Sequence, residues 1–95
     1  MRRAAKVDAN QKKIVEQLRR CGFSVAHTHT IGKGFPDIIC GSQNKNFLFE
    51  IKDGGKTKSQ KKLTEDEEKF FQSWNGQISI IETIEDALLI INQNK

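Results

Sequence analysis

The sequence lacks the long apolar runs and the paired cysteines that would assign a class of protein at once. No apolar run approaches the roughly 20 residues that a membrane-spanning helix needs. The basic start, residues 1–13, is followed by no hydrophobic stretch, so we expect no secretory signal and a cytosolic location. Cys21 and Cys40 lack the CxxC spacing of zinc and redox sites, and we expect both to be buried free thiols without a disulfide.

The length and composition are those of one small globular domain. The chain has 95 residues, of which 36% are hydrophobic and 29% are charged. We therefore expect a single domain over residues 1–95, close to the size at which self-association often adds missing burial.

Charge is distributed unevenly along the chain. The formal net charge is +4, and the basic residues fall in two blocks, residues 1–20 and 52–62, whereas residues 65–86 are mainly acidic. Basic blocks of this kind neutralise phosphates and gain affinity through counterion release, although a solvated surface explains many of them. The pattern favours a polyanion such as DNA as a partner.

Periodicity and capping signals predict the order α-β-β-β-α-β-α. Gly22 ends the first helix, Thr64 caps the second with Glu67 in the capping-box position, and Thr83 caps the third. The predicted ranges are a helix over 9–21, strands over 23–29, 37–41, 46–52 and 77–81, and helices after residues 64 and 83.

The predicted fold class is α/β, with a mixed sheet flanked by helices. Both parities of the second and third strands carry apolar residues, which is typical of a sheet covered on both faces. The second helix is expected to turn Phe70, Phe71 and Trp74 inward. Leu89 and Ile90 widen the apolar surface of the last helix, either for a dimer contact or for deeper burial in the monomer.

A predicted hairpin brings two acids together. If the turn is centred between Gln43 and Asn44, paired residues sum to 87, and Asp37 lies opposite Glu50. Carboxylates facing each other across an antiparallel pair repel, so a positive group must compensate. Two such acids can hold Mg²⁺ or Mn²⁺, and Lys52, on the same strand face as Glu50, can reach the same phosphate or water.

Metal-assisted hydrolysis of a phosphodiester fits this arrangement, because the cation activates water and neutralises charge on phosphorus. The alternative is structural: Asp37 begins a turn after Pro36, while Glu50 and Lys52 are solvent-facing partners on a strand edge.

The motifs "PD" and "EIK" in this element order resemble the PD-(D/E)xK nucleases, a superfamily with a restriction-endonuclease-like core. More closely, "GKGFPDII", "FEIKDG" and "KLTEDE" are similar to small stand-alone VRR-NUC domains of phages and bacteria, over residues 8–88. The resemblance implies that Asp37 and Glu50 bind the metal, that the Ile51 backbone carbonyl completes its shell, and that Lys52 assists the nucleophile.

Two positions depart from the family's pattern. Many relatives carry an acid just before the first isoleucine of the first helix, where this chain has Lys13, and Glu16 is the nearest candidate for a supporting acid. Relatives often carry glutamine where Glu67 stands, and the capping box explains Glu67 without a catalytic role.

Further residues are candidates for binding. His27 and His29 share a strand face and suit a transition metal, but no third ligand is identifiable from the sequence, and an ordinary polar edge is the alternative. The lysines expected to contact the DNA backbone are Lys33, Lys56, Lys58, Lys61 and Lys62, for which the alternative is a solvated loop.

The resemblance implies a DNA endonuclease dependent on Mg²⁺ or Mn²⁺ in the cytoplasm of a bacterial or phage-infected cell. Branched DNA, as in a four-way (Holliday) junction, is the expected substrate, and a homodimer would present two active sites to its two strands. The alternatives are a flap-cleaving nuclease, a non-catalytic nucleic-acid-binding module of the same fold, and an adaptor that pairs through its acidic helices.

Overall fold

The computed structural model describes residues 9–53 and 62–94. Seven elements follow one another in the predicted order. They are α1 (Ala9–Arg20), β1 (Ser24–His27), β2 (Ile38–Ser42), β3 (Lys45–Ile51), α2 (Glu65–Ser73), β4 (Ile78–Ile81) and α3 (Ile84–Gln93).

The four strands form one mixed sheet in the order β1-β2-β3-β4. The β1–β2 and β2–β3 pairs are antiparallel, and β4 runs parallel to β3. Helices flank this sheet, so the predicted α/β class with a mixed sheet is confirmed. The second and third strands each lie within one residue of their predicted ends.

A two-residue turn sets the register of the β2–β3 hairpin. Gln43 and Asn44 both have positive φ, 52° and 66°, as a type I′ turn requires. Ile39 pairs with Leu48 and Gly41 pairs with Asn46, so paired residues sum to 87 as predicted.

The main core lies on one face of the sheet, between the strands and the helices α1 and α3. Its central members are completely or almost completely buried: Ile14, Leu18, Ile38, Cys40, Phe47, Phe49, Ile51, Ile81, Ala87 and Ile91. Leu48 and Glu50 alternate with these strand residues and are buried on the opposite face.

Two predictions about burial are wrong in part. Cys40 is buried, but Cys21 is exposed at the end of α1; both thiols are free. In α2, Phe70 and Phe71 are half-buried and Trp74, just after the helix, is 42% exposed. The reason is that α2 lies outside the main core, which α1 and α3 already complete.

The predicted helix caps at Thr64 and Thr83 are confirmed. In each, the threonine side chain accepts a hydrogen bond from the amide three residues later, and the acid at that position bonds back to the cap. Asp8, the predicted cap of α1, lies outside the described residues. Among residues 9–53 and 62–94, no helix has both the length and the apolarity to cross a membrane.

Candidate active site

Asp37 lies where β2 begins, beside the end of β3. Its backbone amide donates to the Phe49 carbonyl at 3.1 Å, and its carboxylate Oδ2 accepts a hydrogen bond from the Ile51 amide at 2.8 Å. The β2–β3 pairing ends at Ile38 opposite Phe49, and the Asp37 amide bonds Phe49, so the predicted backbone pairing of Asp37 with Glu50 is not formed. The two side chains are nevertheless neighbours: burial raises the pKa of Asp37, and a hydrogen bond from Glu50 opposes that rise. Both carboxyl groups therefore lie at the same end of the hairpin.

Glu50 is a buried acid that is only partly satisfied. Its residue is 3% exposed, its Oε2 lies 3.4 Å from the Lys52 ammonium, and its buried Oε1 has no hydrogen-bond partner. Burial, followed by the charges of Asp37 and Glu67, raises the pKa of Glu50 to about 9. Burial also raises the pKa of Asp37, against the hydrogen bond from Ile51.

Lys52 connects the strand to α2. Its ammonium contacts Glu67 Oε1 at 3.2 Å, and the same oxygen accepts the Thr64 amide at 2.9 Å. Burial opposes the charge of Lys52, but Glu50 and Glu67 outweigh burial and raise its pKa. Burial likewise opposes ionisation of Glu67, yet the Thr64 amide and Lys52 lower its pKa. These two groups form a charged pair.

Glu67 belongs to this cluster through a contact with Lys52 that the sequence did not predict. Its capping box was recognisable from Thr64 three residues earlier, and that part of the prediction is confirmed. Its contact with Lys52 depends on how α2 docks against the end of β3, for which the sequence carries no local signal.

Polar contacts to the backbone fix the position of the site. The Thr28 amide donates to the Asp37 carbonyl at 2.9 Å, and the Thr28 hydroxyl donates to the Pro36 carbonyl at 2.7 Å. On the other side, Asn10 Nδ2 donates to the Lys52 carbonyl at 2.8 Å and to the Glu82 carbonyl at 3.1 Å. No pattern in the sequence predicts these contacts of Thr28 and Asn10.

The Ile51 carbonyl faces the side of β3 on which Asp37 lies. The Lys52 amide donates to the Ile81 carbonyl of β4 at 2.9 Å. In a trans peptide, the carbonyl points away from the amide hydrogen of the next residue. The Ile51 carbonyl is therefore directed away from β4 and toward the β2 side of the sheet.

The charges of the cluster are unbalanced. Asp37, Glu50 and Glu67 contribute three carboxylates, and Lys52 contributes one ammonium, so the fully ionised cluster has a formal charge of −2. A divalent cation would balance it, and carboxylate and carbonyl oxygens are the ligands that Mg²⁺ and Mn²⁺ prefer. The unpartnered Glu50 Oε1 fits that role.

In the described part of the chain, no group of three or more His, Cys, Asp or Glu side chains is arranged to hold a metal ion. A cation here would rest on two acids, Asp37 and Glu50, and on the Ile51 carbonyl, with its other ligands from water or substrate. Hard cations commonly keep several such external ligands.

The remaining predicted residues are exposed or lie outside the described residues. Glu16 is exposed on α1, and its supporting role stays a prediction. Lys33 is exposed in the loop before Pro36 with a φ of 56°, and Lys62 is exposed before α2. Lys56, Lys58 and Lys61 lie outside the described residues, so their contacts with DNA also stay predictions.

The two histidines pack edge to face, with ring centroids 5.7 Å apart. His27 Nδ1 lies 3.1 Å from Gln11 Nε2, whereas the buried Nδ1 of His29 has no hydrogen-bond partner. Burial, followed by the charges of Arg19 and His29, lowers the pKa of His27. No acid, cysteine or further histidine in residues 9–53 and 62–94 completes a metal site around them.

Comparison of the chain with protein-family models, with curated proteins and with solved structures found no match. The chain is thus an α/β domain with a four-stranded mixed sheet. It carries a buried acid–lysine cluster at one end of its central strands. The resemblance to VRR-NUC nucleases stays a hypothesis based on the short motifs.

Proposed function

We propose that the chain is a DNA endonuclease of the VRR-NUC type, dependent on Mg²⁺ or Mn²⁺, with a restriction-endonuclease-like core. The observation that carries this proposal is the buried Glu50. One of its oxygens is unsatisfied, and two further acids, Asp37 and Glu67, surround it with one lysine. Burial and the neighbouring acids raise the pKa of Glu50 to about 9, so this carboxyl group would ionise at neutral pH only if a positive ligand such as a divalent cation joined the cluster.

Each residue of the cluster has a distinct role in the proposed reaction. Asp37, Glu50 and the Ile51 carbonyl would hold the cation, which would supply the Lewis acidity for attack of water on phosphorus. Lys52 keeps its proton and donates a hydrogen bond to the attacking water or to a phosphate oxygen. Glu67 is a positioning residue, because its carboxylate holds the Lys52 ammonium at 3.2 Å.

Branched DNA is the proposed substrate, with a four-way junction as its principal form. The basic blocks at residues 1–20 and 52–62 support affinity for phosphates. A homodimer would place one active site on each of two strands of a junction, which one domain cannot do at the same time.

The test is cleavage of labelled four-way junctions, flaps and linear duplexes, each with Mn²⁺ and with EDTA. Asp37→Asn should retain DNA binding and lose cleavage by at least about 100-fold, because a neutral amide is a poorer ligand for a hard cation. Glu85→Gln, which removes an exposed acid of α3 outside the cluster, is the matched control and should cleave like the wild type.

Equal cleavage by wild type and Asp37→Asn would overturn the proposal. DNA binding without cleavage, under all metal conditions, would favour a non-catalytic binding module. Preference for flaps over junctions would retain the chemistry and change the substrate. A stable protein complex together with no DNA affinity at low salt would instead favour an adaptor.

A further inference from the structure

Three aromatic rings pack together beside the cluster, and one of them, that of Trp74, belongs to an exposed residue. The rings of Phe70 and Trp74 are stacked, with centroids 5.1 Å apart and an interplanar angle of 17°. Phe35 meets them edge on, at 5.0 Å from Phe70 and 6.3 Å from Trp74. We call Phe35, Phe70 and Trp74 the aromatic platform. Trp74 is 42% exposed, and the backbone of Gly76 packs against the Nε1 side of its indole, where an added Cβ would lie 2.8 Å from Nε1.

The platform is continuous with the proposed active site. Glu67, Phe70 and Trp74 follow one another at helical spacings of three and four residues, which places them along one side of α2. Seven residues at 1.5 Å each put Trp74 about 10 Å along the axis from Glu67. That distance equals about three base steps of stacked DNA.

The loop before β2 fixes the platform from the other side. Phe35 lies two residues before Asp37, and the backbone at Gly34 touches α2 so closely that a Cβ there would be 2.2 Å from the Asp66 carbonyl oxygen. The contact between Gly34 and α2 thus holds both the loop that leads to Asp37 and the aromatic platform.

Trp74 does not serve to fill the main core. The described residues of α2 include none that is buried, and the main core is completed by α1 and α3. The acids of α2 are divided between its two sides. By the helical period of 3.6, Glu65 and Glu68 lie on the other side of α2 from Phe70 and Trp74, and Lys69 pairs with Glu65 at 3.5 Å. The exposed Asp66 lies on the side of Phe70, so a base stacked on the platform must approach from the Trp74 end.

We propose that Trp74, supported by Phe70 and Phe35, stacks on an unpaired base of the DNA close to the bond that is cut. This inference rests on the proposed nuclease function and adds how the substrate is selected. Inside a duplex both faces of each base are already stacked, whereas an unpaired base in a flap, or a base unstacked at the crossover of an open junction, has a free face. The platform therefore selects DNA with unpaired bases near the cleavage site.

The composition of the chain supplies a direct test. Trp74 is its only tryptophan, and it contains no tyrosine, so tryptophan emission reports on this ring alone. Asp37→Asn protein would be titrated with flap DNA and with a blunt duplex of equal length, while the anisotropy of a dye on the DNA measures binding separately. We expect bound flap DNA to quench the emission and bound duplex to leave it nearly unchanged.

Binding of flap DNA without quenching, or equal quenching by the blunt duplex, would overturn the stacking proposal and leave the nuclease proposal intact. Failure to bind either DNA at low salt would reject the proposed function, and the stacking proposal with it.

Cleavage by variants gives a second readout. Trp74→Ala should lower the cleavage of flap or junction DNA by about 10-fold, and Trp74→Phe should restore most of it, because any aromatic ring can stack on a base. Ile31→Ala, at an exposed apolar residue outside the cluster, should change little. Equal rates for Trp74→Ala and wild type on branched DNA would contradict the proposal.

Discussion

The carboxylate of Asp37 accepts a 2.8 Å hydrogen bond from the backbone amide of Ile51. This bond spans from the start of β2 to the end of β3, and it holds the Asp37 side chain beside the buried Glu50. Because the amide belongs to a central strand of the sheet, this bond keeps the Asp37 carboxylate next to Glu50. Without a cation, a proton on Glu50 relieves the repulsion between the two acids, since its pKa is raised to about 9. A cation bound between the two acids would take the place of that proton.

Glu50→Gln should raise the stability of the cation-free protein and abolish its cation binding. The variant removes a buried carboxyl group that, with a pKa raised to about 9, must hold a proton at a pH far above its ordinary pKa. We expect the free energy of unfolding in EDTA at about pH 8 to rise by about 2 kcal/mol. Chemical denaturation measures this change, and calorimetry with Mn²⁺ in the presence of DNA measures cation uptake. A less stable variant, or one with undiminished uptake, would contradict the assignment of Glu50.

Stability without metal should fall as the pH rises through the range in which Glu50 ionises. Burial, with Asp37 and Glu67, raises the pKa of Glu50 from 4.5 to about 9. The folded chain thus binds more protons than the unfolded chain. The stability that protonated Glu50 provides is therefore fully present below about pH 4.5 and is lost by about pH 9. Comparing wild type with Glu50→Gln in EDTA across that range isolates the effect, and a constant difference would refute it.

Lys52 should be needed for stability as well as for chemistry. Its side chain is 14% exposed and contacts both Glu50 and Glu67, so Lys52→Met leaves two partly buried carboxylates without a cation. We expect a loss of about 3 kcal/mol in unfolding free energy. The double variant Lys52→Met with Glu50→Gln should recover part of that loss. Additive effects in this double-mutant cycle would mean that the two residues do not interact.

The candidate site was more predictable from the sequence than its surroundings. Asp37, Glu50 and Lys52 could be brought together because a two-residue turn at Gln43 and Asn44 fixes the register, and register fixes which side chains share an end of the sheet. Alternation along β3 placed Glu50 and Lys52 on one face by the same local rule.

The docking of α2 could not be predicted in that way. Helical spacing showed that Phe70 and Trp74 share a side of the helix, but it did not show how much of that side the sheet would cover. Glu67 and Lys52 are 15 positions apart in the sequence, and only the three-dimensional structure shows that they are in contact. Local periodicity reports which residues share a face, whereas burial depends on what that face meets.

The proposed homodimer predicts that an exposed apolar residue of α3 lies in the contact. Leu89 is 60% exposed, whereas its neighbour Ile90 packs against the core. Leu89→Glu should therefore convert a dimer to a monomer in sedimentation experiments without lowering the midpoint of unfolding of the monomer. Gln93→Glu adds the same charge to the same helix and is the control. A monomeric wild type at high concentration would contradict the dimer.

Gly34→Ala should damage the site, and Gly32→Ala supplies a matched control. Both glycines have positive φ, 81° and 88°, so each alanine adds a backbone cost of about 1 kcal/mol. Only at Gly34 would the new Cβ strike backbone, 2.2 Å from the Asp66 carbonyl oxygen, whereas nothing lies within 4 Å at Gly32. The extra loss at Gly34 should be about 2 kcal/mol, since the loop must move away from α2.

That displacement should also disturb Asp37, three residues after Gly34, and lower DNA cleavage by about 10-fold or more, because small misplacements of reacting groups are costly. Chemical denaturation and cleavage assays on both variants measure the two effects. Equal losses at Gly34 and Gly32 would mean that the contact between the loop and α2 does not position the site.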